Sequence, residues 1–91
     1  MIDEAKLAAR LFKEATGCHR WSNGPGARYD VHHHTYRKIL YVAAGSITFT
    51  PAAMPPVTLR AGDRIDLAAG LAHGAVVGDE GVVCWEGQAR S

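Results

Sequence analysis

Three histidines stand side by side at His32, His33 and His34, and a further one lies at His73. Imidazole nitrogens bind divalent transition metals well, so the first question is which of these rings can meet at one ion. On a strand, residues i and i+2 face the same side, about 7 Å apart at their Cα atoms. His32 and His34 can therefore converge on one ion at about 2.0–2.1 Å, while His33 points to the opposite face. Lys38 follows closely. On a straight strand it would sit roughly 20 Å beyond His32. A turn at Thr35-Tyr36 would instead return it beside the pair on the next strand, and a hairpin is expected there. His73 follows "AGDRIDLAAGLA", where glycines end one strand, release a short loop, and leave His73 to open the next strand. One histidine pair plus one distant histidine is a common make-up of a metal site. Spacing alone leaves a second reading open, in which these are ordinary polar residues on a sheet surface.

The elements that would position these residues are mostly short strands. "IDEAKLAARLFKEATG" reads as one amphipathic helix, with Leu7, Ala8, Leu11, Phe12 and Ala15 on one face. Asp3 can cap its start and Gly17 can end it. Beyond Gly17 the segments are β-branched or aromatic and are separated by glycine or proline: "CHRW", "RYDVHH", "KILYVAAG", "SITFT", "VTLRAG", "RIDLAAG", "HGAVV" and "GVVCWEG". Ile47 and Phe49, Val57 and Leu59, and Ile65 and Leu67 each alternate with polar or small residues, as in half-buried strands. "PAAMPP" is a constrained turn, because proline blocks both helix and central strand. About eight strands at this spacing predict a sandwich or barrel.

Composition sets the outer bounds. The 91 residues suit one domain, 47% of them are hydrophobic, and ten glycines and four prolines imply many turns. A net charge of +1, with Arg37-Lys38 as its densest basic pair, argues against a nucleic-acid partner. No stretch approaches the roughly 18 apolar residues of a membrane helix, and no membrane partner is expected. The N-terminal segment is acidic and broken by charge, which reads against a signal peptide and for a cytoplasmic protein. Cys18 and Cys84 read as two free thiols. A bridge between them would need the first and last strands to be neighbours. No serine has a nucleophile-elbow context and no glycine-rich loop leads into a helix.

Two motifs in the chain carry a family resemblance. The first is Gly26, five residues, His32-His33-His34, three residues, Lys38, six residues, Gly45. The second is Gly62, five residues, Ala68-Ala69-Gly70, two residues, His73, three residues, Val77, with sixteen residues between the motifs. Seven glycine and histidine anchors (Gly26, His32, His34, Gly45, Gly62, Gly70, His73) fall in register with the paired motifs of the cupins. Over residues 18–88 the chain resembles a small single-domain cupin. The resemblance implies an all-β, cupin-type double-stranded β-helix (jelly-roll) barrel, residues 18–91, with a short N-terminal α-helix, residues 1–17, packed on it as part of one domain. It implies that His32, His34 and His73 bind a divalent metal ion (Zn, Ni, Fe or Mn). Lys38 stands where the family has its ligand glutamate, Ala68 where it has proline, and Val77 where it has asparagine.

A charged ammonium has three donors and no acceptor, so Lys38 cannot ligate metal. Three readings follow. Lys38 stands aside, paired with a carboxylate such as Glu86 or Asp30. It binds an anionic group of a ligand. Or no metal binds, and the cavity is a plain pocket. Tyr36 and Trp85 are expected to line the pocket with Lys38, whereas Trp21, Tyr41 and Phe49 read more simply as core. The expected function is a small metal-binding cupin of unassigned activity, acting on a small anionic compound as a dioxygenase or isomerase type. The alternative is a non-catalytic module that binds or senses a small molecule. The small core, and the pairing common among cupins, imply a homodimer, with the amphipathic helix as its candidate contact.

Overall fold

The computed structural model describes residues 2–90. Helix α1 (Glu4–Glu14) starts where expected, with the Asp3 side chain accepting the backbone N–H of Lys6 at 3.1 Å. It ends earlier than Gly17. Ala15 is already extended and opens strand β1 (Ala15–Asn23), and Gly17, at φ 62°, lies inside that strand next to a bulge. Five further strands follow: β2 (Arg28–His32), β3 (Lys38–Pro51), β4 (Val57–Arg60), β5 (Arg64–Leu67) and β6 (His73–Ala89).

Six strands replace the eight segments because four of those segments merge in pairs. "KILYVAAG" and "SITFT" form one strand, β3, and "HGAVV" and "GVVCWEG" form another, β6. Glycine had marked the breaks, but both strands continue through theirs. Gly45 at φ 74° and Gly81 at φ 77° let the backbone bend while the ladder persists, with register shifts at Val42/Ala44 and Gly45/Ile47. The bend folds the sheet over into two layers. In one, β1, the second half of β6, the first half of β3 and β5 lie side by side; in the other, β2, the first half of β6, the second half of β3 and β4. This is a jelly-roll strand order.

The hairpin expected at Thr35-Tyr36 does not form. The chain does bend there, but β2 pairs with β6 and not with β3. The bend therefore carries the chain from one layer to the other. Lys38 thus starts in the other layer, and it lines the same cavity as His32 and His73.

Alternation along β3 divides two cores. Leu40 and Val42 point into the barrel with Ile47, Phe49, Leu59, Val77 and Cys84, while Ile39 and Tyr41 point outward to Leu7 and Leu11 of α1. The helix thus covers the outer face of one layer. Its last turn is fastened there by Glu14, which accepts hydrogen bonds from the Tyr41 hydroxyl and from Arg64 Nη2, the latter at 2.6 Å. Both cysteines are free. Strands β1 and β6 are neighbours, yet Cys84 pairs with Trp21 in the register and Cys18 lies in the bulge, so the thiols are not opposed. Burial pushes the Cys84 thiol up to about 12, with Glu86 adding to the shift. Among the described residues, no helix is long and apolar enough to cross a membrane.

Two outcomes test this architecture. At Gly45 a Cβ would run into the carbonyl oxygen of Gly81 and force a strained positive φ. Gly45→Ala should lower unfolding free energy in urea titrations by roughly 3 kcal/mol. Glu14 supplies a pH signature. Burial alone would raise its carboxyl, but hydrogen bonds from Tyr41 and Arg64 and the Arg64 charge outweigh it, leaving it below its ordinary 4.5. Its contribution is present above the unfolded value and is lost as pH falls through the folded one. Glu14→Gln should lower Tm at neutral pH by about 4 °C, and the gap should narrow as pH falls below the ordinary 4.5 and vanish once the folded carboxyl is protonated.

Candidate metal and ligand site

Strand register builds the histidine cluster. His32, the last residue of β2, is paired with His73, the first residue of β6. His34 lies just beyond the strand, where the chain begins to cross between layers, and the carbonyl of that residue accepts the Gly70 N–H at 2.8 Å. That bond ties the segment after β2 to the loop before β6. Ring centroids stand 4.6 Å apart for His32–His73, 4.9 Å for His32–His34 and 5.4 Å for His34–His73. One nitrogen from each ring lies within 4.8 Å of the others. This is a three-histidine cluster able to hold a divalent metal ion. His33, between the pair, is exposed.

In two of the rings the other nitrogen is tied to a backbone carbonyl. His32 Nδ1 bonds the Asp30 carbonyl at 2.8 Å and His73 Nδ1 bonds the Leu71 carbonyl at 2.9 Å. A carbonyl only accepts, so each Nδ1 is the protonated nitrogen and each Nε2 keeps its lone pair. His73 is 2% exposed. Its Nε2, and that of His34, are buried without any hydrogen-bond partner. Buried polar atoms normally find one, and a cation fits what these two lack. Burial holds His73 below the ordinary 6.5, partly offset by the Leu71 bond and reinforced by His32 and Lys38. Burial also lowers His34, with Lys38 next in weight. The unprotonated form that ligates metal is therefore favoured in both.

Across the barrel the opposite layer presents a buried ion pair. Lys38 Nζ lies 3.3 Å from Glu86 Oε2, and both side chains are nearly sealed from solvent, at 10% and 12% exposed. The other Glu86 oxygen, Oε1, accepts the Trp21 indole N–H at 2.7 Å. Of the two carboxylates considered for Lys38, the partner is Glu86. Between the layers lies a cavity of about 330 Å³, with His32, His73, Lys38, Glu86 and Trp21 in its wall and Leu40, Ile47, Phe49 and Ala75 as its apolar lining. Tyr29 and Asn23 also line it and are hydrogen-bonded to each other.

Two residues expected at the pocket stand elsewhere. Trp85 alternates with Glu86 on β6 and faces outward, edge-on to Phe12 of α1 with centroids 6.0 Å apart. Tyr36 does not line the cavity but packs on His34 at 5.1 Å. Trp21, read as core, is in the wall instead. Its role depends on Glu86, and no local spacing could have shown a contact between residues so far apart in the chain.

No family model matches the chain, and no curated protein matches it in sequence. Solved structures do share its fold. An RmlC-like cupin from Shewanella frigidimarina superposes with a TM-score of 0.70 at 23% identity, over 81% of this chain and 65% of that one. The DMSP lyase DddQ from Ruegeria pomeroyi gives 0.71 at 23% identity, over 76% of this chain and 35% of that one. The structure of Drosophila melanogaster CENP-C bound to CAL1 gives 0.73 at 18% identity, over 85% and 67%. The chain thus spans less than two thirds of the length of the first two. The likeness is one of fold, a cupin-type jelly roll.

Position 38 is testable apart from any activity. A glutamate there would offer a carboxylate from the strand that also carries the cavity's apolar lining. Lys38→Glu should tighten zinc binding by about tenfold in competition titrations with a chelator. Unchanged affinity would place position 38 out of reach of the ion.

Proposed function

We propose that this chain is a small metal-binding cupin-fold protein acting on, or binding, a small anionic compound. His32, His34 and His73 are the metal ligands, with zinc, nickel, iron or manganese as the candidate ions. Two buried imidazole nitrogens, unpartnered and aimed at the same point as a third ring, carry this reading. A divalent ion held by three neutral imidazoles supplies Lewis acidity and positions open to a ligand. Lys38 contributes a second positive charge to the same cavity and orients an anionic group towards the histidines. The layer of Leu40, Ile47 and Phe49 excludes water behind it.

If the protein is an enzyme, the proposed type is a metal-dependent dioxygenase or isomerase. The solved neighbours show that the fold alone does not decide: one is a DMSP lyase by name, another a chain in a protein complex. One observation favours the second reading, a binding or sensing module. Apart from the histidines, the cavity's one carboxylate is already paired with its one lysine, which leaves no unpaired carboxylate as a general base. We place the protein in the cytoplasm, as a homodimer and a single domain.

Elemental analysis of untagged protein is the direct test. After incubation with zinc, nickel or iron, about one equivalent should remain bound, and His73→Ala should reduce zinc affinity by about a hundredfold. Retention below about a tenth of an equivalent with every ion would overturn the metal reading. Oxygen uptake or turnover on a panel of small acids supports the enzyme; ligand-dependent thermal shift without turnover supports the binder.

A further inference from the structure

We propose that the cavity selects a small monocarboxylic acid with an apolar tail, that Lys38 is its contact, and that Glu86 is the positioning residue that sets this specificity. The proposal deepens the reading of this cavity as a site for a small anionic compound and rests on that reading, not on the metal ion. Among the residues lining the cavity, Lys38 is the one permanent cation and Glu86 the one carboxylate. An ammonium has three donors, and Glu86 engages it from one side, at 3.3 Å. The remaining N–H groups are free to meet the two oxygens of a carboxylate by charge-assisted hydrogen bonds.

Glu86 cannot swing away easily, because Trp21 holds its other oxygen at 2.7 Å. The ammonium is thereby fixed in place before any ligand arrives, which reduces the ordering cost of binding. Glu86 also keeps its own negative charge in the wall. One incoming carboxylate is matched by Lys38, and with no ion at His32 and His73 a second on the same ligand would meet Glu86 or the apolar floor. Like charges brought together out of water cost several-fold in affinity at the least. The floor is Leu40, Ile47 and Phe49, all buried, and it suits hydrocarbon. The cavity of about 330 Å³ is at the small end of ligand pockets, so the ligand is small.

The test uses the full chain, with and without one equivalent of zinc, titrated calorimetrically with butyrate, 1-butanol and succinate. These share a four-carbon length and differ in charge. In the zinc-free chain butyrate should bind at least about tenfold more tightly than either of the others, and zinc at the histidines should narrow its lead over succinate. Lys38→Met should bring butyrate down to the level of 1-butanol, while Lys38→Arg should keep it within about threefold of wild type. Glu86→Gln should raise succinate relative to butyrate by about tenfold, a shift in selectivity that a merely structural role would not produce. Butyrate binding no tighter than 1-butanol or succinate in the unmodified zinc-free chain would overturn the proposal, as would a zinc-free Glu86→Gln variant with an unchanged ratio. Zinc stoichiometry from native mass spectrometry separates the two readings. Lys38-dependent butyrate binding without zinc retention removes the metal and keeps the acid site; zinc retention without butyrate binding does the reverse.

Discussion

Strands β3 and β6 are hydrogen-bonded to each other along nearly their whole lengths, from Lys38 opposite Gln88 to Pro51 opposite His73, and every other element takes its place from that ladder. Each strand serves both layers. The bulges near Gly45 and the close approach of Gly81 let the pair bend sharply without giving up backbone hydrogen bonds. Separate strands would expose edges at the fold line; a shared bent pair leaves none there. The short strands β2, β4 and β5 then need only a few residues each, because they pair against a frame already set.

That frame separates the site's charges. The histidines come from β2, the segment after it and the start of β6, in one layer. Lys38 and Glu86 come from the start of β3 and the end of β6, in the other. The bend in β3 and β6 sets the two groups face to face across the apolar lining. A lone ammonium in such a cavity would be costly to bury beside a cation site. Its pairing with Glu86, and the bond from Trp21 to Glu86, offset that cost and hold Lys38 aimed inward. The helix has no part in the cavity. It closes the outer face of the layer that carries the ion pair, and Glu14 fixes its last turn to Tyr41 and Arg64.

Much of the site was legible in the chain, for a physical reason. His32 and His34 are two apart, and a period of two is a property of any extended segment. Gly26, Gly62 and Gly70 are turn residues whose positions follow from local backbone conformation. Other parts were not legible. Gly45 and Gly81 read locally as strand ends, since nothing nearby shows that a partner strand will bend in step. Trp85 and Trp21 exchanged their expected roles, because which face of β1 and β6 looks inward depends on how the layers close.

The sequence by itself determined the local matters: a capped amphipathic helix, period-two strands, the histidine pair, and a lysine where an acidic ligand was expected from family resemblance. These rest on interactions within a few residues of each other. Tertiary structure alone decided that β2 pairs with β6 instead of forming a hairpin with β3, and so that Lys38 lines the histidines' cavity from the other layer. It alone chose Glu86 over Asp30 as the partner of Lys38, and set Trp21 against Glu86, 65 residues away in the chain. Those outcomes come from strand register and layer closure, and register is settled by the cooperative burial of whole faces, which no short stretch of sequence contains.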